Sequence, residues 1–246
     1  MLVSVIIPYF NDELNINKSV LSALNQTYKN IEIIIVDDEN SKNSIDVLKK
    51  FIKEKRIKII RNKQNLGVAF ARNKGIKISK GQFVAFLDSD DYWNKNKLKA
   101  QVNAFKKYDI DICYTNYSGF VGNKKIKYKI KSPRKMTFNK FLKECPISCS
   151  SVVVKKKIFN EHKFKNLKTK EDYLLWLELS KKNYKFFGLD KYLSFYRIRK
   201  NSLSDLHFNK LYSAYKIYSY YLKFNLFFSL IMISRLYMNA FIKKYL

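Results

Sequence analysis

Four short apolar runs alternate with segments of helical periodicity in the first 90 residues, and this alternation limits the fold more than any other feature of the chain. The predicted strands and the helices between them lie, in chain order, at residues 3–7, 13–25, 31–36, 44–53, 57–60, 68–79 and 83–87. Strands that alternate with helices form βαβ units with right-handed crossovers. The pattern therefore predicts an α/β fold with a mainly parallel sheet flanked by helices.

Acidic residues follow two of these strands: Asp37 and Asp38 follow the second, and Asp88-Ser89-Asp90 follows the fourth. Open α/β sheets bind ligands at the carboxyl ends of their parallel strands, so both clusters are expected at the ligand edge. Asp88 and Asp90 offer hard oxygen ligands, which suit Mg²⁺ or Mn²⁺, and such an ion usually completes its shell with substrate phosphates. The first strand is not followed by a glycine-rich phosphate loop, so this ion would have to neutralise a bound diphosphate.

Beyond residue 92 the pattern is looser. It predicts a helix, two strands, a short helix, a strand and a further helix at residues 94–107, 110–117, 119–130, 132–141, 145–154 and 170–182. With 47% hydrophobic and 16% aromatic residues, the chain has enough apolar side chains to build a core around these elements.

The chain carries 49 Lys and Arg against 20 Asp and Glu, a net charge of +29. Such an excess attracts nucleic acid, anionic lipid or phosphorylated substrates, although lysines scattered over a solvated surface would give the same count. Cys113, Cys145 and Cys149 have no zinc or redox spacing, and reduced thiols indicate the cytoplasm. The N-terminus begins with strand-like sequence and has no basic segment, so no signal peptide is expected.

From residue 209 onward, tyrosines, phenylalanines and leucines are interleaved with lysines, and the uncharged run at residues 226–234 is too short to span a bilayer. This composition favours helices that lie in a membrane interface, here the inner face of the cytoplasmic membrane. The alternatives are helices that pack on the rest of the chain or on a second copy in a homodimer.

Six segments, at residues 4–11, 35–38, 65–73, 88–90, 171–177 and 196–204, carry a family resemblance. They read SVIIPYFN, IVDD, NLGVAFARN, DSD, EDYLLWL and YRIRKNSLS. Their order and spacing resemble the inverting, nucleotide-sugar-dependent glycosyltransferases of family 2, which have the GT-A fold. The resemblance covers roughly residues 3–205.

The resemblance implies three parts: a nucleotide-sugar-binding half at residues 1–108, an acceptor-binding half of the same domain at residues 109–207, and a helical tail at residues 208–246. It implies a nucleotide-sugar donor, most often a UDP-sugar, with Mn²⁺ or Mg²⁺ on Asp88 and Asp90. The implied acceptor is a glycan or lipid-linked saccharide of surface polysaccharide, O-antigen or lipooligosaccharide synthesis.

The resemblance also assigns roles to individual residues. Asp172 is the expected general base. The residues expected to contact the nucleotide are Pro8, Tyr9, Asp37, Asp38, Asn65, Gly67, Arg72, Asp88 and Ser89. Those expected at the acceptor or the diphosphate are Glu171, Trp176, Arg197 and Arg199.

Each of these roles has a structural alternative. Asp172 would also stabilise a helix N-terminus through the helix dipole, and Asn65 would also cap the third helix. Trp176 would also pack in the core, and Arg72 would also be an ordinary surface residue of a helix.

Two positions depart from the family pattern. Glu39-Asn40 stands where relatives usually have Gly-Ser, which leaves the nucleotide base open, although Asn40 can take the left-handed turn conformation. Arg199 stands where a His is often found, so charge near the diphosphate would come from Arg197, Arg199 or Lys200.

Two other functional classes remain at this point. A phosphatase-type phosphotransferase would use Asp88 as nucleophile and Asp90 as acid, but that group carries its motif on the first strand with Thr or Val after the second Asp, whereas Asp91 follows here. A nucleic-acid-binding protein would explain the net charge. The chain has no recognisable nucleic-acid motif, however, and acidic clusters at the ligand edge repel phosphate, so nucleic acid is not an expected partner.

Overall fold

The computed structural model describes residues 1–122, 125–198 and 205–245, and at residues 205–207 and 243–245 it describes the backbone alone. Within these ranges the strands are β1 Val3–Tyr9, β2 Ile31–Asp37, β3 Ile57–Arg61, β4 Phe83–Phe86, β5 Tyr92–Trp93, β6 Ile112–Val121, β7 Lys125–Ile130, β8 Val153–Lys155 and β9 Phe186–Arg197. The α-helices are α1 Ile16–Leu24, α2 Lys42–Lys49, α3 Val68–Ile78, α4 Lys97–Lys107, α5 Phe138–Phe141, α6 Glu171–Lys181, α7 Asp205–Lys216 and α8 Leu226–Tyr245.

These strands form one sheet in the order β3-β2-β1-β4-β8-β6-β9-β5, with β7 paired to β6. The first four strands of the chain pair parallel with one another, as their alternation with helices predicted. β8 then runs antiparallel to both β4 and β6. The carboxyl ends of β1, β2 and β4 therefore meet at one edge, where the acidic segments follow them.

The sheet is buried on both faces because alternate residues of β1 point into two separate cores. Val5 packs with residues of α1, α2 and α4, whereas Ile6 packs with residues of α3 and α6. The second core also contains six residues from the C-terminal helices, namely Ala214, Ile217, Tyr218, Met232, Ile233 and Leu236. One side of the tail therefore packs on the rest of the chain.

The two strands predicted at residues 110–117 and 119–130 have different bounds in the structure. β6 continues through Gly119 to Val121, and β7 is a separate strand that pairs with it antiparallel. A Cβ at Gly119 would lie 2.3 Å from the Tyr128 ring, so the glycine lets that ring lie against β6. The prediction of a break near Gly119 was wrong because this glycine serves packing within the strand.

β9 was not predicted. Its middle carries Asp190 and Lys191, which are exposed and typical of a loop. The strand forms because it pairs parallel with β6, with a register irregularity next to Asn116. Its last residues, Tyr196 and Arg197, reach the carboxyl edge of the sheet.

The outer side of the C-terminal helices carries exposed apolar side chains, among them Phe208, Tyr212, Phe227, Leu230 and Phe241. No helix in the described ranges is long and apolar enough to cross a membrane. The structure thus combines a tail that is packed on one side with an apolar surface on the other.

Lys97, in the first turn of α4, is a destabilising feature of the core. Its side chain is fully buried, and its Nζ lies 3.9 Å from the centre of the Trp93 ring and has no hydrogen-bond partner among the described residues. Burial lowers the pKa of Lys97 from its ordinary 10.5 to about 7. The folded state therefore disfavours the charged form, and stability is gained as the pH rises from about 7 towards 10.5.

Replacing Lys97 by methionine should therefore stabilise the protein at neutral pH, because the apolar stem is kept and the charge is removed. A pKa shift of this size corresponds to roughly a few kcal/mol in the free energy of unfolding. Each kcal/mol gained raises Tm by ~2–4 °C in a chain of this length. Thermal unfolding below and above pH 7 measures the difference in Tm between Lys97→Met and the wild type. Lys99→Met, at an exposed lysine of the same helix, is the matched control. A lower Tm for Lys97→Met than for Lys99→Met would contradict the prediction.

Candidate active site

A cleft of about 800 Å³ lies at the carboxyl edge of the sheet. From the residues predicted to bind nucleotide and metal, it is lined by Pro8, Tyr9, Asp38, Asn65, Gly67, Arg72, Asp88, Ser89 and Asp90. Glu171 and Asp172, at the start of α6, line it as well. The structure thus brings most of the predicted residues together in one cavity.

Arg72 connects the loop after β4 to the start of α6. Its Nη2 donates to Oδ1 of Asp88 at 2.7 Å, and its Nη1 donates to Oε1 of Glu171. The Arg72 side chain is only 3% exposed, so it is not a surface residue of α3. Its guanidinium is tolerated in the interior because two carboxylates compensate its charge, and it fixes one acidic group relative to the other.

Asp172 is the carboxyl group in the cleft whose protonation is tuned near neutrality. Burial and, to a smaller extent, the neighbouring Glu171 raise the pKa of Asp172, Arg72 lowers it, and the net result is a pKa of about 7. Its Oδ1 accepts a hydrogen bond from the backbone N–H of Tyr173 at 2.8 Å. A carboxylate with a pKa near the working pH suits a general base, because it can both take and release a proton.

The loop that carries Asp88 and Asp90 is held by hydrogen bonds on several sides. The Ser19 hydroxyl donates to the Asp88 carbonyl at 3.1 Å, and the Asp88 N–H donates to Oγ of Ser150 at 3.1 Å. The Ser89 hydroxyl donates to Oδ2 of Asp12 at 2.6 Å. Ser89 is therefore bound within the protein, and the loop is preorganised before any ligand arrives.

Arg197, at the end of β9, binds the loop after β4 through Asp90 and Asp91. Its backbone N–H donates to Oδ1 of Asp91 at 2.8 Å, and its Nε donates to the Asp90 carbonyl at 3.1 Å. Its guanidinium also lies 4.7 Å from the centre of the Phe120 ring. Arg197 therefore positions the loop, while its predicted contact with acceptor or diphosphate stays a prediction.

The carboxylates of Asp88 and Asp90 fit a divalent cation that a substrate also binds. Asp88 and Asp90 are partly exposed in the cleft. Within the described ranges no three His, Cys, Asp or Glu side chains come together that could hold a metal ion by themselves. Two carboxylates with the remaining positions open match an ion completed by phosphate oxygens and water.

Asp38 holds the loop between β3 and α3. Its carboxylate accepts from Nδ2 of Asn62 at 2.6 Å, from the N–H of Leu66 at 3.0 Å and from the N–H of Gly67 at 2.7 Å. Gly67 has a φ of 88°, which a side chain would strain. Oδ1 of Asn65 accepts from the same Gly67 N–H at 3.0 Å, so it supports the turn that begins α3.

Asp37 is fully buried and stabilises the turn that leads into α2. It accepts hydrogen bonds from the N–H groups of Glu39 and Asn40 and from the Ser44 hydroxyl. Asn40 has the left-handed conformation predicted for it, with a φ of 51°. Asp37 is thus engaged within the protein, and its nucleotide contact stays a prediction.

Glu39, one of the two positions that depart from the family pattern, joins the loop after β1 to the turn before α2. Its Oε2 accepts from the Asn11 N–H at 3.1 Å, and its Oε1 accepts from the Ser41 hydroxyl at 2.5 Å. Close by, Tyr9 is fully buried in the cleft wall, and its hydroxyl has no hydrogen-bond partner in the described part of the chain. That hydroxyl is a group that a bound ligand could satisfy.

Trp176 is a core residue and does not line the cleft. Its side chain is fully buried, with edge contacts to Phe164 and Phe186 at 6.4 Å between ring centres. The predicted role at the acceptor site is therefore corrected to core packing, because no part of the ring reaches the cavity. Arg199 and Lys200 lie outside the described residues.

Sequence reasoning missed several cleft residues. The cavity is also lined by Lys168 and Lys170 before α6, by Lys210 of α7 and by Tyr117, Tyr128 and Tyr196. The lysines had no signal that separated them from the other lysines of this basic chain. Lys170 differs from the other two only in the structure, where its backbone has a φ of 64° immediately before α6.

The comparisons with known proteins agree with this geometry. The family model described as Glycosyl transferase family 2 matches residues 4–163. The Escherichia coli protein named UDP-Glc:alpha-D-GlcNAc-diphosphoundecaprenol beta-1,3-glucosyltransferase WfgD is 39% identical over 85% of this chain and 82% of its own. The Bacillus subtilis protein named putative teichuronic acid biosynthesis glycosyltransferase TuaG is 34% identical over 89% of this chain and 87% of its own.

Two solved structures have a similar fold. S. aureus TarS in complex with UDP-GlcNAc superposes with a TM-score of 0.69 at 23% identity, and this chain spans 66% of that one. A mannosyltransferase from Pyrobaculum calidifontis, in complex with GDP-Man and Mn²⁺, superposes with a TM-score of 0.71 at 13% identity, and this chain spans 64% of it. The α/β fold of GT-A type, which the sequence resemblance implied, is thereby confirmed.

Proposed function

Because this chain belongs to glycosyltransferase family 2, we propose that it transfers a sugar from a UDP-sugar, with inversion, to a lipid-linked saccharide of surface polysaccharide synthesis. Glucose is the first candidate for the sugar, because two E. coli relatives, 39% and 38% identical, are named as UDP-Glc-dependent glucosyltransferases. The acceptor in both names, a GlcNAc unit on diphosphoundecaprenol, supports the lipid-linked class of acceptor. The phosphotransferase interpretation does not agree with the family.

The observation that carries this proposal is the meeting of two kinds of carboxylate in one cleft. Asp88 and Asp90 offer ligands for a cation at the end of β4, and Asp172, with a pKa of about 7, lies at the start of α6. Arg72 bridges the two sides. A phosphate-bound cation next to a tuned base is what displacement of a nucleoside diphosphate by a hydroxyl requires.

In the proposed reaction, Asp172 takes the proton of the acceptor hydroxyl as the oxygen bonds to the anomeric carbon of the donor. The bond between this carbon and the diphosphate breaks, and its electron pair leaves with UDP. Attack from the side facing away from the leaving group inverts the configuration in one step. Arg72 and Glu171 hold the base relative to the loop after β4.

Asp88 and Asp90 would hold Mn²⁺ or Mg²⁺, which when bound supplies Lewis-acid stabilisation of the leaving diphosphate. The Mn²⁺ and GDP-Man named in the P. calidifontis structure support this choice of cofactor. The Tyr9 hydroxyl, which has no hydrogen-bond partner among the described residues, lies in the cleft wall, where it would help to select the nucleotide.

A thermal-shift panel tests the proposal. UDP, GDP, CMP and UDP-glucose are each added with Mn²⁺, with Mg²⁺ or with EDTA. Ligand at about 100 times its Kd stabilises the folded state by ~2.7 kcal/mol, which raises Tm by several degrees. We expect a metal-dependent rise with UDP that is absent in Asp88→Ala/Asp90→Ala. A protein that responds to no nucleotide would refute the proposed donor site.

The tail is proposed to place the enzyme on the inner face of the cytoplasmic membrane. Phe227 and Leu230 of α8 are 75% and 54% exposed, next to further apolar side chains of the same helix. Lysines of the tail add attraction to anionic lipid. A lipid-linked acceptor would then be reached from the surface that carries it.

Replacing Phe227 and Leu230 by glutamate should reduce binding to vesicles that contain anionic lipid by at least tenfold. Each apolar side chain transferred from water contributes ~1.5–3 kcal/mol, and about 1.4 kcal/mol corresponds to a factor of ten. Cosedimentation measures the bound fraction. Ile52→Glu, at a 60% exposed apolar residue near α2, is the control. Equal loss in the control, or none in the tail variant, would contradict the prediction.

A further inference from the structure

We propose that Lys168, Lys170 and Lys210 form the site that holds the diphosphate of the lipid-linked acceptor, and that the isoprenoid chain lies against α7 and α8. This assignment rests on the proposed function, from which it takes the acceptor class. It adds a location in the cleft and the residues that would recognise the anionic part of the lipid.

The three lysines line the same cleft as Asp172. Lys168 and Lys170 belong to the segment that leads into α6, and Lys210 belongs to α7. Lys210 contributes to lowering the pKa of Lys170, although burial is the main cause, so the two ammonium groups lie close enough to repel each other. Neighbouring cations at a cavity wall are costly unless an anion binds between them, and a diphosphate supplies that charge.

Carboxylates neutralise this group only in part, because Asp172 favours the charged form of Lys170 but burial outweighs it and keeps the pKa of Lys170 below its ordinary value. Within the described ranges, neither Lys168 nor Lys210 forms a salt bridge, and the nearby Glu171 is already bound to Arg72. Asp172, with its pKa of about 7, is only partly charged at neutral pH. Lys170 packs 5.1 Å from the centre of the Tyr237 ring of α8, which holds its ammonium group beside the tail.

Exposed apolar side chains of α7 and α8 lie next to the residues of these helices that line the cleft. Around Lys210, α7 exposes Phe208, Leu211 and Tyr212, which are 75%, 45% and 55% exposed. Around Ala240, which also lines the cleft, α8 exposes Met238, Phe241 and Ile242. Both helices therefore have residues at the cavity and exposed apolar side chains within one turn of them. An amphiphile with an anionic head and an apolar chain matches this arrangement.

The donor diphosphate is assigned elsewhere in the cleft, to Asp88 and Asp90 with their cation at the end of β4. The lysine group lies instead on the segments next to the base, where the acceptor hydroxyl must arrive. A sugar joined to an isoprenoid through a diphosphate would then have its hydroxyl at Asp172, its diphosphate at the lysines and its chain on the tail.

Calorimetric titration of the full chain with farnesyl diphosphate, with farnesol and with inorganic diphosphate tests the site without requiring the acceptor sugar. The test variant is Lys168→Ala/Lys210→Ala, and Lys99→Ala/Lys106→Ala, on the exposed side of α4, removes the same charge as a control. Lys170 is left in place because its left-handed backbone precedes α6 directly. UDP with Mn²⁺ is titrated into every protein as a measure of the donor site.

We expect farnesyl diphosphate to bind the wild type at least tenfold more tightly than farnesol does, and the test variant to lose at least tenfold of that affinity. The control should stay within about twofold, and UDP affinity should be the same in all proteins. The inference would be overturned if the wild type does not prefer the diphosphate, or if the test variant binds it normally. It would also be overturned if the variant loses UDP to the same extent, which would assign the lysines to the donor. A wild type that does not bind UDP would instead refute the proposed function.

Discussion

Replacing Asp172 by asparagine should reduce kcat by about 10²–10⁴-fold, the usual contribution of a positioned general base. The amide keeps the size of the side chain and its place at the start of α6 but cannot take a proton. UDP affinity with Mn²⁺ should be unchanged, because the donor residues belong to other segments. Steady-state kinetics and UDP titration measure the two quantities separately.

Glu178→Gln is the matched control, since Glu178 is also a partly buried acid of α6 but does not line the cleft. Its turnover should stay within about twofold of the wild type. If Asp172→Asn retains full turnover, Asp172 is only a helix N-terminal acid, and another group must take the proton.

The same carboxyl group predicts the pH dependence of the wild type. Because burial and Glu171 raise the pKa of Asp172 to about 7, the carboxylate fraction decreases tenfold for each pH unit below that value. The logarithm of kcat/KM should therefore fall with unit slope on the acid side of pH 7 and level off above it. A profile that is flat from about pH 5.5 to about pH 8 would contradict this role.

Replacing Arg72 by methionine should destabilise the fold by ~3–5 kcal/mol, the usual cost of leaving buried charges without their partner. Two carboxylates lose their compensation at once, because Asp88 and Glu171 both bind this guanidinium. At ~2–4 °C for each kcal/mol, Tm should fall by about 10 °C. Arg72→Lys should recover only part of the lost stability, since one ammonium group cannot bind Asp88 and Glu171 at once with the geometry of the guanidinium.

A double variant separates charge from packing. Glu171→Gln added to Arg72→Met removes one uncompensated carboxylate, so it should regain part of the lost stability. Arg72 also lowers the pKa of Asp172, so the acid limb of the pH profile should move to higher pH in Arg72→Met. An unchanged profile would show that Arg72 is structural and does not act on the base.

The sequence was informative where a single local pattern determines an element. The alternating segments up to β4 have little choice of structure, and the predicted parallel order of β1, β2 and β4 is confirmed. β9 was missed because its stability comes from pairing with β6, 74 to 77 residues away in the chain, while its own Asp190 and Lys191 are typical of a loop. The break predicted near Gly119 was wrong for a related reason, since the need for a glycine there comes from the Tyr128 ring on the next strand.

The sequence predicted many of the residues that line the cleft, but it did not predict their hydrogen-bond partners. The positions of Asp88, Asp90 and Asp172 in one cleft agree with the spacing of the motifs. That Asp37 and Asp38 are engaged within the protein could not be predicted, because most of their donors are backbone N–H groups whose positions depend on loop geometry. Trp176 was ambiguous because helical periodicity gives the face of a helix but not what covers that face.

The docking of the tail has a consequence for how the chain acquires its structure. The hydroxyl of Tyr218, in the tail, lies 2.8 Å from that of Tyr173, which directly follows Asp172. Ile217, Ile233 and Leu236 fill the same core as Trp176. During synthesis, α6 therefore emerges before the residues that complete its surroundings, because Ile217 lies 36 residues and Leu236 lies 55 residues beyond the last residue of α6. The catalytic helix is thus finished late, by contacts of long sequence separation, and a chain cut short within the tail would expose an incomplete core next to the base.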